Sequence, residues 1–87
     1  PSYFMLKEKI SLDENIDIDS IFLGIKSTYD ENKLDTRDGI KINKNNGWIH
    51  LRKSNTEPII RIYIEAANKE ESEMFFSEIK KIIDTNS

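Results

Sequence analysis

The chain has 87 residues, and its 13 Lys and Arg and 16 Asp and Glu give a formal net charge of −3. This charge argues against a general electrostatic affinity for nucleic acid or an anionic membrane. Hydrophobic residues make up 37% and charged residues 33%, as expected for one small globular domain with a modest core. The sequence contains no cysteine, which excludes disulfides and thiolate metal sites, and no apolar run approaches the roughly 20 residues of a membrane-spanning helix.

The chain is expected to be a single domain that belongs to a longer protein. Its first residue is Pro1 rather than Met, and no internal repeat or low-complexity segment divides residues 1–87. A domain of this size can fold alone, although its free energy of unfolding is small.

The first third of the chain predicts a strand followed by a helix. Residues 2–12 are rich in aromatic and aliphatic side chains, and their alternation from Phe4 to Ile10 predicts a strand. Apolar residues then recur at helical spacing over about three turns, which predicts a helix over residues 17–30. This apolar stripe consists of Ile18, Ile21, Phe22, Ile25 and Tyr29. Residues 31–39 are expected to form a connection that begins as extended chain.

Alternation predicts three further strands. Ile40 and Ile42 share one face of the first strand, and the Asn46-Gly47 pair after it is typical of a type I′ hairpin turn. Residues 48–52 form the second strand, with Ile49 and Leu51 on one face. The same face of the third strand carries Ile60, Ile62, Ile64 and Ala66. The opposite face of these two strands carries Trp48, His50, Arg52, Ile59, Arg61, Tyr63 and Glu65.

A second helix is predicted over residues 69–84. Asn68 and, three residues later, Glu71 form a capping-box pattern at its start. Its inward-facing residues are Phe75, Ile79, Ile82 and Ile83. The order strand, helix, three strands, helix predicts an α+β two-layer sandwich, in which an antiparallel sheet carries both helices on its isoleucine-rich face.

The polar sequence RKSNTEP begins at Arg52 and joins two predicted strands, and Arg61 in the second strand lies on the same face as Arg52. A guanidinium group presents a planar fork of donors that suits phosphate or carboxylate. Ser54 and Thr56 add hydroxyls, Asn55 adds an amide, and successive backbone N–H groups in a tight loop can form an anion-binding concavity. These residues predict a site for one phosphate group, and the alternative is a polar hairpin loop beside two surface arginines. The loop lacks the GxxxxGKS or GxxxxGKT pattern of the nucleotide-binding P-loop.

The stretch DGIKI, followed by GWIHLRKSNTEPIIRIYIEA, resembles the C-terminal domain of the α-D-phosphohexomutases over residues 38–66. This superfamily includes phosphoglucomutase, phosphomannomutase and phosphoglucosamine mutase, and its last domain resembles the TATA-box-binding-protein-like fold. Its phosphate-binding loop has the form R-x-S-N-T-E-P, with Gly as an alternative to Asn, and a further arginine follows in the next strand. The present sequence matches this motif without a gap at Arg52, Ser54, Asn55, Thr56, Glu57, Pro58 and Arg61.

The resemblance implies that residues 1–87 are the fourth and last domain of a four-domain enzyme. In such enzymes a phosphoserine in the first domain, a magnesium ion held by aspartates in the second and a sugar-recognition loop in the third carry out the reaction. The fourth domain binds the substrate phosphate that is not being transferred. The parent enzyme is therefore expected to need Mg²⁺ and to interconvert a hexose 6-phosphate and its 1-phosphate, with glucosamine or mannose favoured over glucose as the sugar. This domain alone is expected to hold no cofactor and to be inactive.

The resemblance also implies roles, partners and a location. The two motif arginines are expected to bind phosphate oxygens, and hydrogen bonds are expected from Ser54, Asn55 and Thr56. Glu57 is expected to order the loop, and Lys53 to add charge at its rim. The expected partners are the phosphosugar and the other domains of the parent, and the expected location is the cytoplasm.

Other interpretations of the same surface remain open. A stand-alone module with this fold would bind a phosphorylated peptide, a protein or nucleic acid, although the net charge of −3 disfavours nucleic acid. Trp48 and Tyr63 are interpreted as packing against a neighbouring domain, with stacking on a sugar or a base as the alternative. His50, the only histidine, is interpreted as an ordinary residue of the strand surface rather than a catalytic group or metal ligand.

Overall fold

The computed structural model describes residues 3–86, and its elements follow the predicted order with two additions, a 3-10 helix and a two-residue strand. The elements are β1 (Phe4–Ser11), α1 (Ile18–Thr28), a 3-10 helix (Glu31–Lys33), β2 (Leu34–Asp35), β3 (Ile40–Lys44), β4 (Gly47–Lys53), β5 (Ile59–Ala66) and α2 (Lys69–Asn86). Ser2, the first residue of the predicted first strand, lies outside the described range. The expectation that residues 31–39 begin as extended chain is wrong, because Lys33 N–H donates to the carbonyl oxygen of Asp30 (2.9 Å) and closes a helical turn before β2.

The five strands form one antiparallel sheet in the order β1-β5-β4-β3-β2. The first strand of the chain pairs along its whole length with the last, from Phe4 opposite Ala66 to Ser11 opposite Ile59. β5 therefore lies between β1 and β4, and residues 60–65 of β5 have a direct partner on both neighbours.

Isoleucines from both layers form the core on the face that alternation predicts. The completely buried apolar residues are Ile21, Ile25, Ile40, Ile42, Ile49, Leu51, Ile60, Ile62, Ile64, Ala66, Ile79 and Ile83. The helices contribute to this cluster and pack against each other, so both cover the same face of the sheet and the predicted α+β sandwich is confirmed. Because burying one such side chain contributes about 1.5–3 kcal/mol, this cluster supplies most of the hydrophobic stabilisation of the domain.

The β3–β4 hairpin is confirmed, but the predicted type I′ turn is wrong. Lys44 pairs with Gly47, so Asn46-Gly47 is not the central pair of the turn. A type I′ turn also needs positive φ at both central residues, and within residues 3–86 only Gly39 has positive φ. Gly47 serves a different purpose, because a Cβ there would lie 1.9 Å from the carbonyl oxygen of Glu65 on β5. Its missing side chain allows β4 to approach β5 at this end of the sheet.

Side-chain caps begin both helices. Asp17 Oδ1 accepts from the N–H of Asp19 (3.0 Å), and Asn68 Oδ1 accepts from the N–H of Glu71 (2.8 Å). These bonds satisfy backbone donors that the first turn of a helix leaves without a partner. The Asn68 bond is the one that the capping-box pattern predicts for the start of α2.

A polar contact on the helix side ties three elements together. The Tyr29 hydroxyl donates to Glu78 on α2, and Lys44 Nζ on β3 lies 2.5 Å from the Glu78 Oε2 atom. The Lys44 ammonium also lies 5.2 Å from the centre of the Tyr29 ring. Burial, together with the hydrogen bond to Glu78 and its negative charge, raises the pKa of Tyr29 well above its usual range.

Candidate anion-binding site

Arg52 and Arg61 face each other across the β4–β5 hairpin. The register pairs them directly, and both are exposed on the sheet face that the helices leave open. Directly opposed residues of an antiparallel pair have Cβ atoms about 4.5–5.5 Å apart, so both guanidinium groups can reach one ligand. Like charges at this spacing repel each other, and a bound anion relieves that repulsion.

The loop between β4 and β5, residues 54–58, is anchored by its backbone at both ends. Ser54 N–H donates to the carbonyl oxygen of Ile59 (3.0 Å), which closes the loop on itself. The carbonyl oxygen of Pro58 accepts from the N–H of Leu12 (2.7 Å), just past the end of β1. The loop is therefore held in place by two strands, directly beyond the Arg52–Arg61 pair.

Polar groups inside this loop are close together and partly without partners. Ser54 Oγ accepts from the N–H of Thr56 at 3.3 Å and lies 3.4 Å from Thr56 Oγ1. Within residues 3–86, the side chain of Asn55 and the backbone N–H groups of Asn55 and Glu57 have no hydrogen-bond partner. Two hydroxyls, one amide and two backbone donors in so short a segment are the groups that bind an anion.

Two further residues of the loop motif make contacts away from the arginine pair. Lys53 points to the helix side of the sheet, where its Nζ lies 2.9 Å from Asp19 Oδ1 on α1, so the prediction that it adds charge at the rim of the site is wrong. The alternation of the strand is the reason, since Lys53 follows Arg52 and takes the opposite face. The carbonyl oxygen of Glu57 accepts from the N–H of Ile59 (2.8 Å), a backbone contact that does not test the expected role of the Glu57 side chain.

Asp38 is a residue of this site that sequence reasoning missed. Its Oδ2 atom lies 3.5 Å from Arg52 Nη2, and its carbonyl oxygen lies 2.7 Å from His50 Nε2. Gly39 beside it has a φ of +67°, and a Cβ there would lie 2.2 Å from the carbonyl oxygen of Leu51, so this turn packs directly on β4. The Asp-Gly pair is a turn signal in the sequence, but the contact with Arg52 depends on how β3 pairs with β4.

The charge of the arginine pair is only partly balanced by the protein. The Arg52 and Asp38 side chains are 52% and 68% exposed, and ion pairs this exposed contribute little to stability, so a ligand anion can displace Asp38. Within the described part of the chain, no carboxylate lies within 4.0 Å of the Arg61 guanidinium. Arg61 is therefore available to an external anion.

An aromatic row of Trp48, His50 and Tyr63 occupies the other end of the open face. The His50 and Tyr63 ring centres are 6.2 Å apart at a tilt of 42°. Trp48 Nε1 donates to Glu65 Oε2 (3.1 Å), and the Lys41 ammonium lies 4.9 Å from the centre of the Trp48 ring. The two directly paired arginines thus lie at the loop end of this face, away from Trp48.

Asp35 balances Lys41 at the outer edge of the face. The two residues are a direct pair between β2 and β3. Hydrogen bonds from the guanidinium and the backbone N–H of Arg37 lower the pKa of Asp35 to about 2, so this carboxylate is charged at neutral pH. Lys41 therefore has a nearby counter-charge that Arg61 lacks.

Within residues 3–86, no group of three or more His, Cys, Asp or Glu is placed to hold a metal ion. His50 contacts the backbone carbonyl of Asp38 rather than other ligand-type side chains. No helix among the described residues is long and apolar enough to cross a membrane. The chemistry that this surface offers is therefore the binding of an anion by guanidinium, hydroxyl, amide and backbone N–H groups.

Known proteins with similar sequences are sugar-phosphate mutases. Residues 8–82 match the family model of the phosphoglucomutase/phosphomannomutase C-terminal domain. A phosphoglucosamine/phosphogalactosamine mutase of Sulfurisphaera tokodaii is 36% identical over 86 residues, which cover 97% of this chain and 19% of that protein. A phosphomannomutase of Methanocaldococcus jannaschii is 41% identical over 59 residues, which cover 68% of this chain and 13% of that protein.

The match to the family model covers most of the chain, whereas the chain spans about a fifth or less of the length of these relatives. The arginine pair and the loop lie inside the matched residues 8–82. The chain therefore belongs to the phosphoglucomutase/phosphomannomutase family, in which it corresponds to the C-terminal domain.

Proposed function

We propose that this chain binds the phosphate group of a phosphosugar, as the C-terminal domain of an enzyme that interconverts a hexose 6-phosphate and its 1-phosphate. The observation that carries the proposal is the direct pairing of Arg52 with Arg61 at the base of the RKSNTEP loop. The pair supplies two guanidinium forks on one face, and Arg61 has no counter-charge among residues 3–86. Family membership supports the kind of ligand, since the similar proteins are named as mutases of phosphorylated sugars.

Each group of the site has a distinct part in phosphate binding. Arg52 and Arg61 bind phosphate oxygens through charge-assisted hydrogen bonds, with Asp38 giving up its weak contact to Arg52. The hydroxyls of Ser54 and Thr56, the amide of Asn55 and the open N–H groups of the loop donate to the remaining oxygens. The backbone anchors of the loop hold these donors in position before the ligand arrives, which lowers the entropy lost on binding.

The reaction itself takes place elsewhere in the parent enzyme. Binding energy gained at a phosphate that does not react positions the reacting end of the substrate and so raises the rate at a distant centre. Closure of this domain over the substrate would exclude water from the reaction. We expect the parent enzyme to need a magnesium ion, bound by carboxylates of its other domains.

Glucosamine 6-phosphate is the ligand that we propose first, with the mannose and glucose esters next. Relatives from Methanococcus maripaludis and Methanocaldococcus jannaschii that are named phosphoglucosamine mutases are 36% and 32% identical to this chain. Since hexose phosphates are metabolites of the cytosol, we expect the parent protein in the cytoplasm.

An NMR titration of the 87-residue chain tests the proposal, with glucosamine 6-phosphate as the ligand and unphosphorylated glucosamine as the control. Because one domain supplies only part of the site, we expect a Kd on the order of millimolar, about 4 kcal/mol of binding free energy. Amide shifts centred on residues 52–56 and Arg61, seen only with the ester, are the expected result. Equal shifts with both sugars, or saturable shifts elsewhere on the surface, would contradict the proposed site.

A matched variant makes this test sharper. Arg61→Gln removes the guanidinium that has no counter-charge, and Lys7→Gln removes one positive charge from the same open face without touching the arginine pair. We expect Arg61→Gln to weaken ester binding at least about tenfold and Lys7→Gln to weaken it less than about twofold. Equal losses in the two variants would mean that the ester responds only to the overall charge of the face.

A further inference from the structure

A third cation lies in line with the two arginines. β1 pairs with β5 so that Lys9 is directly opposite Arg61, on the side away from Arg52. The side chains of Lys9, Arg61 and Arg52 therefore form one row across three strands, and all three are exposed on the open face. Neighbouring Cβ atoms in such a row are about 4.5–5.5 Å apart, well within the reach of these long side chains.

Within residues 3–86, Lys9 has no ion pair with any carboxylate. Lys9 and Arg61 line a shallow depression of about 340 Å³, together with Lys7, Glu8 and Tyr63. Glu8 is the acidic residue of this lining, and strand alternation places it on the opposite face from Lys9. The depression thus presents three cations, none with an ion pair among residues 3–86, and strand pairing places only Lys9 directly beside Arg61.

The charge balance of the row suits one particular ionisation state of the ligand. Three cations and the single carboxylate of Asp38 give the row a net charge of +2. A phosphate monoester carries a charge of about −1.5 to −2 at neutral pH, because its second pKa is about 6. Without Lys9 the row would have a net charge of +1, which leaves about one negative charge of a doubly charged ester unbalanced.

We propose that Lys9 is a third phosphate-positioning residue and that it makes the site selective for the doubly charged form of a phosphate ester. The inference rests on the proposed function, because it assigns Lys9 to the same phosphate that Arg52 and Arg61 bind. Lys9 places its ammonium on the β1 side of Arg61, so the ligand is held between two strand neighbours rather than at the hairpin alone. The selectivity follows from Coulomb attraction, which grows in proportion to the charge of the ligand.

The test compares Lys9→Gln with Lys7→Gln, two exposed positions on the same face of the same strand. Lys7 is opposite Tyr63 rather than a cation of the row, which makes it the matched control. Glucose 6-phosphate and glucose 6-sulfate are titrated at about pH 5 and about pH 7.5, since the phosphate ester changes from one to nearly two charges over this range whereas the sulfate ester keeps one. The sulfate ester also reports any change in the protein itself between the two pH values.

For Lys9→Gln we expect the Kd of glucose 6-phosphate to rise about fivefold at about pH 7.5, and about twofold or less at about pH 5. The Kd of glucose 6-sulfate should rise about twofold or less at both pH values, and Lys7→Gln should change every Kd less than about twofold. Because both lysines are exposed, the amide spectra of the variants should match the original away from β1.

Different failures separate the two proposals. Loop shifts that saturate in the original chain but have the same Kd in Lys9→Gln would overturn the role of Lys9 and leave the phosphate site standing. Equal losses in the two lysine variants, or a loss that is the same for phosphate and sulfate at both pH values, would likewise overturn it. If the original chain shows no saturable loop shifts up to about 50 mM ester, both proposals are overturned.

Discussion

Replacement of Arg61 by Gln is expected to stabilise the ligand-free chain while it weakens phosphate binding. Arg61 is the middle cation of three, directly paired with Arg52 on one side and with Lys9 on the other. The variant therefore removes two like-charge contacts and keeps a polar side chain of similar shape near the backbone. A gain in stability from the loss of a surface arginine is unusual, and here it follows from the register of the sheet.

The expected gain can be estimated from Coulomb's law. Two unit charges about 6 Å apart in water repel by about 0.7 kcal/mol, and salt near 0.15 M reduces this by about half. Like charges directly opposite in a sheet are destabilising by about 0.2–1 kcal/mol, which agrees with that range. Allowing for the weak attraction to Asp38, we expect Arg61→Gln to raise the free energy of unfolding by about 0.5 kcal/mol at low salt, or the Tm by about 2–4 °C.

Thermal unfolding at about 20 mM and about 500 mM NaCl provides the assay, because salt screens the repulsion and should shrink the difference between variant and original. Lys7→Gln is the control and should leave the Tm within about 1 °C at both salt concentrations, since Lys7 faces Tyr63. A lower Tm for Arg61→Gln than for the original chain at low salt, without ligand, would refute the reasoning. It would mean that packing of the Arg61 stem outweighs the repulsion in the row.

Three further predictions concern the stability of the domain. Gly39→Ala should lower the free energy of unfolding by at least about 1–2 kcal/mol, because φ is +67° and the new Cβ would overlap the Leu51 carbonyl oxygen. A urea titration measures this change, and a loss below about 0.5 kcal/mol would contradict the geometry. Asn68→Ala should lower it by about 1 kcal/mol through loss of the α2 cap, whereas Asn43→Ala, at an exposed strand position, serves as the comparison. The raised pKa of Tyr29 means that the unfolded chain ionises first, so stability is full below about pH 10 and falls as the pH rises above it. Tyr29→Phe should lose stability less steeply between about pH 9.5 and 11, and equal slopes for the two chains would show that Tyr29 ionises as readily folded as unfolded.

The local features of the site follow from patterns over a few residues. Strand alternation places Arg52 and Arg61 on one face whatever the rest of the fold does, and a five-residue loop between adjacent strands leaves little freedom in how they pair. The same alternation also places Lys53 on the helix side of the sheet, where it contacts Asp19 and not the rim of the anion site. A local pattern misleads at Asn46-Gly47. The glycine there is required by the close approach of Glu65 on another strand and not by the turn itself.

The sequence by itself determined the α+β class, the isoleucine face and the pairing of the two motif arginines, because each depends on periodicity and on neighbours along the chain. Only the tertiary structure decided that β1 lies beside β5, which brings Lys9 to Arg61, and that the Asp38-Gly39 turn contacts Arg52. These contacts join segments far apart in the sequence, and their register is set by how the isoleucines of both helices and all the long strands fill one core. The sequence around a charged residue on the open face does not indicate which residues lie beside it. The apolar residues on the other face of its strand set the register and therefore determine those neighbours.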